Sequence, residues 1–359
     1  MNQHTLDVLE YNKVIHLLRS LASSPLGRQQ IDELVPRGDS EQIRHELGET
    51  TEMCRLWEAR QEPPLDGIHD LTHAIRRSEI PGAMLEPSEF TQIRESLAAS
   101  RRIQSALREI RVEAPHIQHY GRRLIPNPEI EKAIDTVFDE MGEVRDNASR
   151  ELFKIRRSIR EHRQAIVRKL ERLMRGDYKP FLMEGYYTQR EGRYVLPFEA
   201  KYQNKIHGII HDRSATGTTV YIEPFSLVEE GNYLKDLEKQ EELEIRRILR
   251  SLTAEVGGIA EDLRYNQDIF ADLDFLSAKA RLSLRYTMEA PQVVQSGPLE
   301  LVGARHPLLM QHLGAEKVVP VDVCLEEDIR GLVITGPNTG GKTVVLKTVG
   351  LLVLMAQSG

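Results

Sequence analysis

Between Pro128 and Arg175 there is no further proline, and apolar residues recur at Ile130, Ile134, Val137, Met141, Val144, Ala148, Leu152, Ile155, Ile159, Ile166, Leu170 and Leu173. Nearly every step is three or four, the spacing that puts side chains on one face of an α-helix. His162 is a polar interruption of the stripe. Asn127 stands where a cap belongs, Pro128 where a first-turn proline is tolerated, and Gly176 where a helix ends. The pattern predicts one helix of about 48 residues, about 72 Å long at the α-helical rise. No compact domain buries that length, so the segment has to be a lever or a coiled-coil arm.

A second run, from about Leu227 to Leu284, carries Leu234, Leu237, Ile245, Ile248, Leu252, Val256, Ile259, Leu263, Phe270 and Leu273 on its stripe. Gly257-Gly258 loosens it midway. Charged residues make up 29% of the chain, as long helices with solvated outer faces require. The segment between the runs differs in kind. "RYVLPFEAKY" (193–202), "KIHGIIHDRS" (205–214) and "TTVYIEP" (218–224) are rich in β-branched and aromatic residues. Turns at Glu191-Gly192 and "SATG" (214–217) divide them, so a small antiparallel β element is expected at the tip of an antiparallel arm. Before the first run, "SSPLG" (23–27), "QEPPLDG" (61–67) and "IPGAMLEPSEF" (80–90) punctuate short helices, with Ser88 as a cap.

Gly336-Pro337-Asn338-Thr339-Gly340-Gly341-Lys342-Thr343 fits G-x-x-x-x-G-K-[ST] at every fixed position. Backbone N–H groups that wrap a phosphate need glycines for close approach. Lys342 supplies a point charge to the β- and γ-phosphates, and the Thr343 hydroxyl can join a Mg²⁺ shell. The helix starting near Gly341 adds its N-terminal partial charge. "GLVIT" (331–335) before the loop reads as a buried strand and "VVLKTVGLLVLMA" after it as a helix. The cofactors implied are ATP and Mg²⁺. Hydrolysis normally also needs an acidic residue at the end of a second strand. The upstream acids fall on helices, so these residues are not expected to turn over ATP unaided.

Between Arg145 and Arg175 there are 11 Lys/Arg against 4 Asp/Glu, a local +7 in a chain whose formal charge is -7. Arg156, Arg157, Arg160, Arg163, Arg168, Lys169, Arg172 and Arg175 cover much of the helix outside its stripe. Two readings stay open: contact with DNA or rRNA phosphates, or pairing with the seven acidic residues of 229–244. His207 with His211, and His116 with His119, lack an evident third metal ligand and read as satisfied or solvated. Tyr186-Tyr187 would either stack on bases or pack a small β core. Cys54 and Cys324 stand in no metal or redox spacing and read as reduced thiols. The amphipathic start is unlike a signal peptide, and Val349–Ala356 falls far short of the ~20 residues that span a bilayer. A cytoplasmic protein without membrane contact is expected.

"TGPNTGGKT" differs from the "GPNGAGKST" of transporter-type ATPases and resembles the MutS family, as does "ARHPLL" (304–309) upstream. The order of helical core, long levers and ATPase module is similar too. The tip and "DNASRELFKIRRSIR" (146–160) resemble the second bacterial MutS subfamily, which carries a C-terminal Smr nuclease domain. The resemblance implies a mainly α chain with a small β tip. Its parts would be a helical core (1–127), an ascending lever (128–178), the tip (179–225), a returning lever (226–290) and the start of an α/β P-loop ATPase domain (291–359). It implies ATP at Gly336 to Thr343 and adenine near Val318 and Val319. It also implies a full-length homodimer that clamps branched DNA, suppressing recombination, or the rRNA of collided ribosomes. Arg305-His306-Pro307 match a signature without assigned chemistry. Two departures matter. The chain starts directly in the helical core, without the family's mismatch-reading domain, and its Phe138-Asp139-Glu140 falls mid-helix, where Phe138 reads as core. The Smr region is absent, so no endonuclease chemistry attaches to these residues. Alternative readings are another coiled-coil P-loop ATPase and a non-enzymatic helical scaffold.

Overall fold

A computed structural model describes residues 2–329, 331–335 and 341–359. Its helices are α1 (Gln3–Val8), α2 (Tyr11–Arg19), α3 (Pro25–Asp32), α4 (Ser40–Glu58), α5 (Thr72–Ser78), α6 (Pro87–Glu109), α7 (Pro115–Arg123), α8 (Pro128–Val137), α9 (Arg150–Arg175), α10 (Phe225–Gly257), α11 (Ala260–Tyr286), α12 (Pro307–Leu313) and α13 (Lys342–Ala356). The strands are β1 (Thr188–Arg190), β2 (Arg193–Glu199), β3 (Gly208–Arg213), β4 (Thr219–Pro224), β5 (Leu299–Ala304) and β6 (Val321–Leu325). The protein is mainly helical and divides into two compact units.

One unit comprises Met1–Ile80, Ser88–Glu131 and Val256–Gly359. Its cores are organised by α11, which is apolar on more than one side and therefore buried on more than one side. Ile269, Phe270, Leu273 and Leu276 share a core with Met53 and Leu56 of α4, Ile103 and Leu107 of α6 and Ile117 of α7. Ala278 and Leu282 share another with Val14, Leu17 and Leu18 of α2 and with Leu351 and Leu354 of α13. Asp274 is fully buried in this helix, a costly place for a carboxylate unless it is hydrogen-bonded. It accepts from the Ser23 and Ser24 backbone N–H groups at 2.9 and 2.7 Å and from the Ser24 hydroxyl at 2.6 Å. That clamp fixes the start of α3. Gly27 is required beside it, because a Cβ there would lie 2.3 Å from the Asp274 carboxylate.

The other unit comprises Pro81–Pro87 and Lys132–Glu255. The single helix expected from Pro128 to Arg175 is in fact two, α8 and α9, separated by a small hairpin. Phe138 pairs with Val144 across it. The Asp139 carboxylate accepts from the Met141 and Glu143 N–H groups, both at 2.9 Å, and Gly142 takes a left-handed φ of 81°. Ser149 then caps α9 by accepting from Leu152 N–H at 2.9 Å. The apolar period had run through the break because Phe138 and Val144 are buried in the hairpin, while Met141, placed on the stripe by a helix, is 87% exposed. Phe138 therefore lies beyond the end of α8 rather than mid-helix, and at 3% exposure it is a core residue.

α9 and α10 run antiparallel, as the partners Arg156–Glu241 and Lys169–Glu230 require. α9 has 26 residues, about 39 Å at the helical rise. Beyond them lies a four-stranded antiparallel sheet in the order β1-β2-β4-β3. Leu196, Phe198, Val220 and Ile222 on its inner face share a core with Ile166, Leu170, Leu227 and Leu234 of the two helices. The expected turn at Glu191-Gly192 joins β1 to β2 with both residues left-handed, at φ 50° and 70°. The second long run breaks where Gly257-Gly258 predicted, and a Cβ on Gly257 would meet the Ser78 carbonyl at 2.5 Å.

β5 and β6 pair antiparallel. Residues 331–335, expected to be a buried strand, form none: Leu332 is 52% and Val333 86% exposed. Among the described residues no strand lies beside them, and an extended segment becomes a strand only by pairing. No described helix is long and apolar enough to cross a membrane.

Candidate functional site

Of the phosphate-loop motif, Gly336, Pro337, Asn338, Thr339 and Gly340 lie outside the described residues. The rest occupies the start of α13. Gly341 is its N-cap residue, with the left-handed φ of 80° that favours glycine. Lys342, half-buried, and Thr343, exposed, form the first turn. A helix N-terminus presents N–H groups and a partial positive charge, so a cation and a hydroxyl here make a donor set suited to a phosphate and its Mg²⁺. The helix is held from behind. Leu351 and Leu354 are buried among α2 residues, and Lys347 reaches Glu10 at 3.2 Å. The Glu10 carboxyl is held below its ordinary range by hydrogen bonds from Lys13 and then Lys347, against the opposing effect of burial.

On α9 the expected nucleic-acid residues divide. Arg156 donates to Glu241 at 2.7 Å, to Asp146 at 2.8 Å and to the Val144 carbonyl at 2.7 Å. Arg160 reaches Asp146, Arg163 reaches Glu238 and Lys169 reaches Glu230, at 2.7, 2.7 and 2.6 Å. Arg157 pairs within the helix with Glu161 at 2.8 Å. Much of the local positive charge is thus balanced inside the unit, as one of the two sequence readings required. Arg168 has no ion pair among the described residues, and neither has Arg172. Arg175 stands 4.0 Å from Glu171 with its side chain 84% exposed. These three, at i, i+4 and i+7, lie on one face leading to the tip.

The family follows from comparison with known proteins. No family model matches the chain. Three curated relatives named Endonuclease MutS2 align with all of it: 41% identity in Alkaliphilus oremlandii, 40% in Acetivibrio thermocellus and 40% in Clostridioides difficile. The chain belongs to the MutS family, in its MutS2 branch. It spans less than half the length of these relatives, 45% of each.

The MutS-like signature Arg305-His306-Pro307 leads into α12. His306 is 4% exposed, its Nδ1 has no hydrogen-bond partner among the described residues, and burial lowers its pKa. Val318 is buried and Val319 is 79% exposed, so of the two residues that the family resemblance would set near adenine, Val319 offers the open surface.

At the MutS2-like tip, the His211 Nε2 lies 2.8 Å from Glu223, a carboxylate only 2% exposed that Arg193 approaches at 3.5 Å. His116 likewise meets Glu52 at 2.6 Å. Among the described residues no group of three His, Cys, Asp or Glu side chains could hold a metal ion. The tyrosine pair splits. Tyr187 packs toward Tyr194 in the sheet core, whereas Tyr186 is 52% exposed. Sequence reasoning missed that Tyr186 lines a cavity with the end of α9. The only signal for it was an aromatic pair a short way beyond a basic helix.

Proposed function

We propose that the chain is the nucleotide- and nucleic-acid-binding portion of a MutS-type clamp. The reading rests on Lys342 and Thr343 completing a phosphate-loop motif on the first turn of a helix that packs, through Leu351 and Leu354, in the same core as α11. α11 follows α10, the returning arm helix, directly in the chain. A nucleotide-binding helix and an arm are the parts that an ATP-dependent clamp needs. In this scheme Lys342 binds the β- and γ-phosphates, the Thr343 hydroxyl helps hold Mg²⁺, and the Gly336–Gly341 backbone wraps the phosphate. The nucleotide supplies binding energy that differs between clamp states. The polyanion held by the arm is branched DNA, in suppression of recombination, or rRNA on collided ribosomes. The whole protein would act as a homodimer through its ATPase modules. The relatives are named endonucleases; no nuclease role is proposed for these residues.

The test is binding of a fluorescent ATP analogue with Mg²⁺. Lys342→Ala is expected to abolish it while leaving the circular dichroism spectrum unchanged. Undiminished binding by that variant would remove the nucleotide site. Binding to branched DNA and to rRNA, each across a salt series, separates the two polyanions.

A further inference from the structure

We infer that the arm's tip carries a subsite for a single unpaired nucleotide, an inference that rests on the nucleic-acid reading above. The cavity lies between the last turns of α9 and the segment before β1, with a volume of about 500 Å³. That is within the range of about 300–1,000 Å³ typical of small-ligand pockets. Its apolar surface comes from Met174, Leu182, Met183 and Tyr186. Tyr186 and Met183 are 52% and 49% exposed, whereas their neighbours Tyr187 and Leu182 pack against the sheet core.

Charge complements that surface. Arg175 and Lys179 stand at the cavity, and Arg168 and Arg172 extend the same cationic face along α9. Arg156, Arg160, Arg163 and Lys169 of the same helix are matched by acids of α10 and of the hairpin, whereas among the described residues these are not. Glu171 and Glu184 also line the cavity. They repel a phosphate placed over them, but they accept hydrogen bonds from exocyclic amino groups of a base. An aromatic face, two thioethers and carboxylate acceptors, with cations lining the same cavity and continuing along α9, fit a base inserted edge-first with its flanking phosphates on α9. A paired duplex keeps its bases stacked and cannot offer that face. A bulge, loop or single strand can. The shared chemistry is an unpaired nucleotide of either DNA or RNA.

The probe is a short duplex with one bulged fluorescent adenine analogue, made in DNA and in RNA, beside a fully paired control. The full chain should bind the bulged probe with a change in analogue fluorescence. Tyr186→Ala, at an exposed position that the fold does not need, should weaken bulged-probe binding roughly tenfold or more. It should also remove the fluorescence change and leave the paired control unaltered, while Tyr186→Phe retains both signals. The DNA and RNA arms identify which polymer supplies the base. If Tyr186→Ala changes bulged and paired probes equally, or changes neither, the subsite falls and general nucleic-acid binding stands. If the unaltered chain retains none of the probes, both fall.

Discussion

Arg156, Arg160 and Arg163 on α9 meet Glu241, Asp146 and Glu238, while Arg168, Arg172 and Arg175, further along the same helix, meet little or no opposing charge. Composition does not separate the two stretches. What separates them is the surface opposite. The acidic run of α10 begins at Glu229 and reaches α9 as far as Lys169. Beyond it the end of α9 lines a cavity with the segment 179–187, which carries Lys179 and Glu184 among aromatic and apolar residues. In the first stretch Arg156, Arg160 and Arg163 fasten α9 to α10 and to the hairpin, while Arg157 pairs within the helix. In the second an arginine is an open charge.

That contrast can be broken most directly at Arg156, whose side chain is 21% exposed. Arg156→Ala should destabilise the protein by about 2 kcal/mol, the scale for hydrogen bonds to charged groups, measured by urea unfolding, with no change in the salt dependence of nucleic-acid binding. Next in size, Ser149→Ala removes the cap of α9 and the 2.7 Å contact with Glu244. A loss of about 1 kcal/mol is expected in the same assay.

Acid sharpens the comparison further. Hydrogen bonds from Arg156 and then Arg160 hold the Asp146 carboxyl below its ordinary value. A depressed folded-state pKa contributes stability that is complete above the unfolded value, about 4, and is lost as pH falls through the folded value. Stability should therefore drop below about pH 4, and Asp146→Asn should flatten that part of the pH profile. Smallest of all, Arg168→Ala should change stability by no more than about 0.5 kcal/mol, as for a surface substitution.

Much of the fold was legible where a local rule and its tertiary outcome agree. Glu191-Gly192 is such a place, since a left-handed pair suits a two-residue hairpin whatever surrounds it. Gly257 is another, where the Ser78 carbonyl leaves no room for a side chain. The hairpin at 138–149 was hidden because Phe138 and Val144 keep the helical phase while being buried by pairing with each other. Residues 193–199 and 331–335 look equally strand-like. The former has β1 and β4 as neighbours, and the latter has no neighbouring strand among the described residues. Of the candidate site, the phosphate-loop helix and its glycine cap were readable because one short motif specifies both. The partition of the arginines and the cavity beside Tyr186 were not, because each depends on what another segment places opposite.

The most direct test of the two-part helix is the salt dependence of binding to one DNA or RNA probe by two double variants. Arg172→Ala with Arg175→Ala should lower the slope of log K against log salt by roughly 1 per phosphate contact removed, with urea unfolding unchanged. Arg160→Ala with Arg163→Ala should leave the slope intact and weaken the fold. The reverse outcome, with the slope carried by Arg160 and Arg163, would contradict the division of α9 into a fastened and an open stretch.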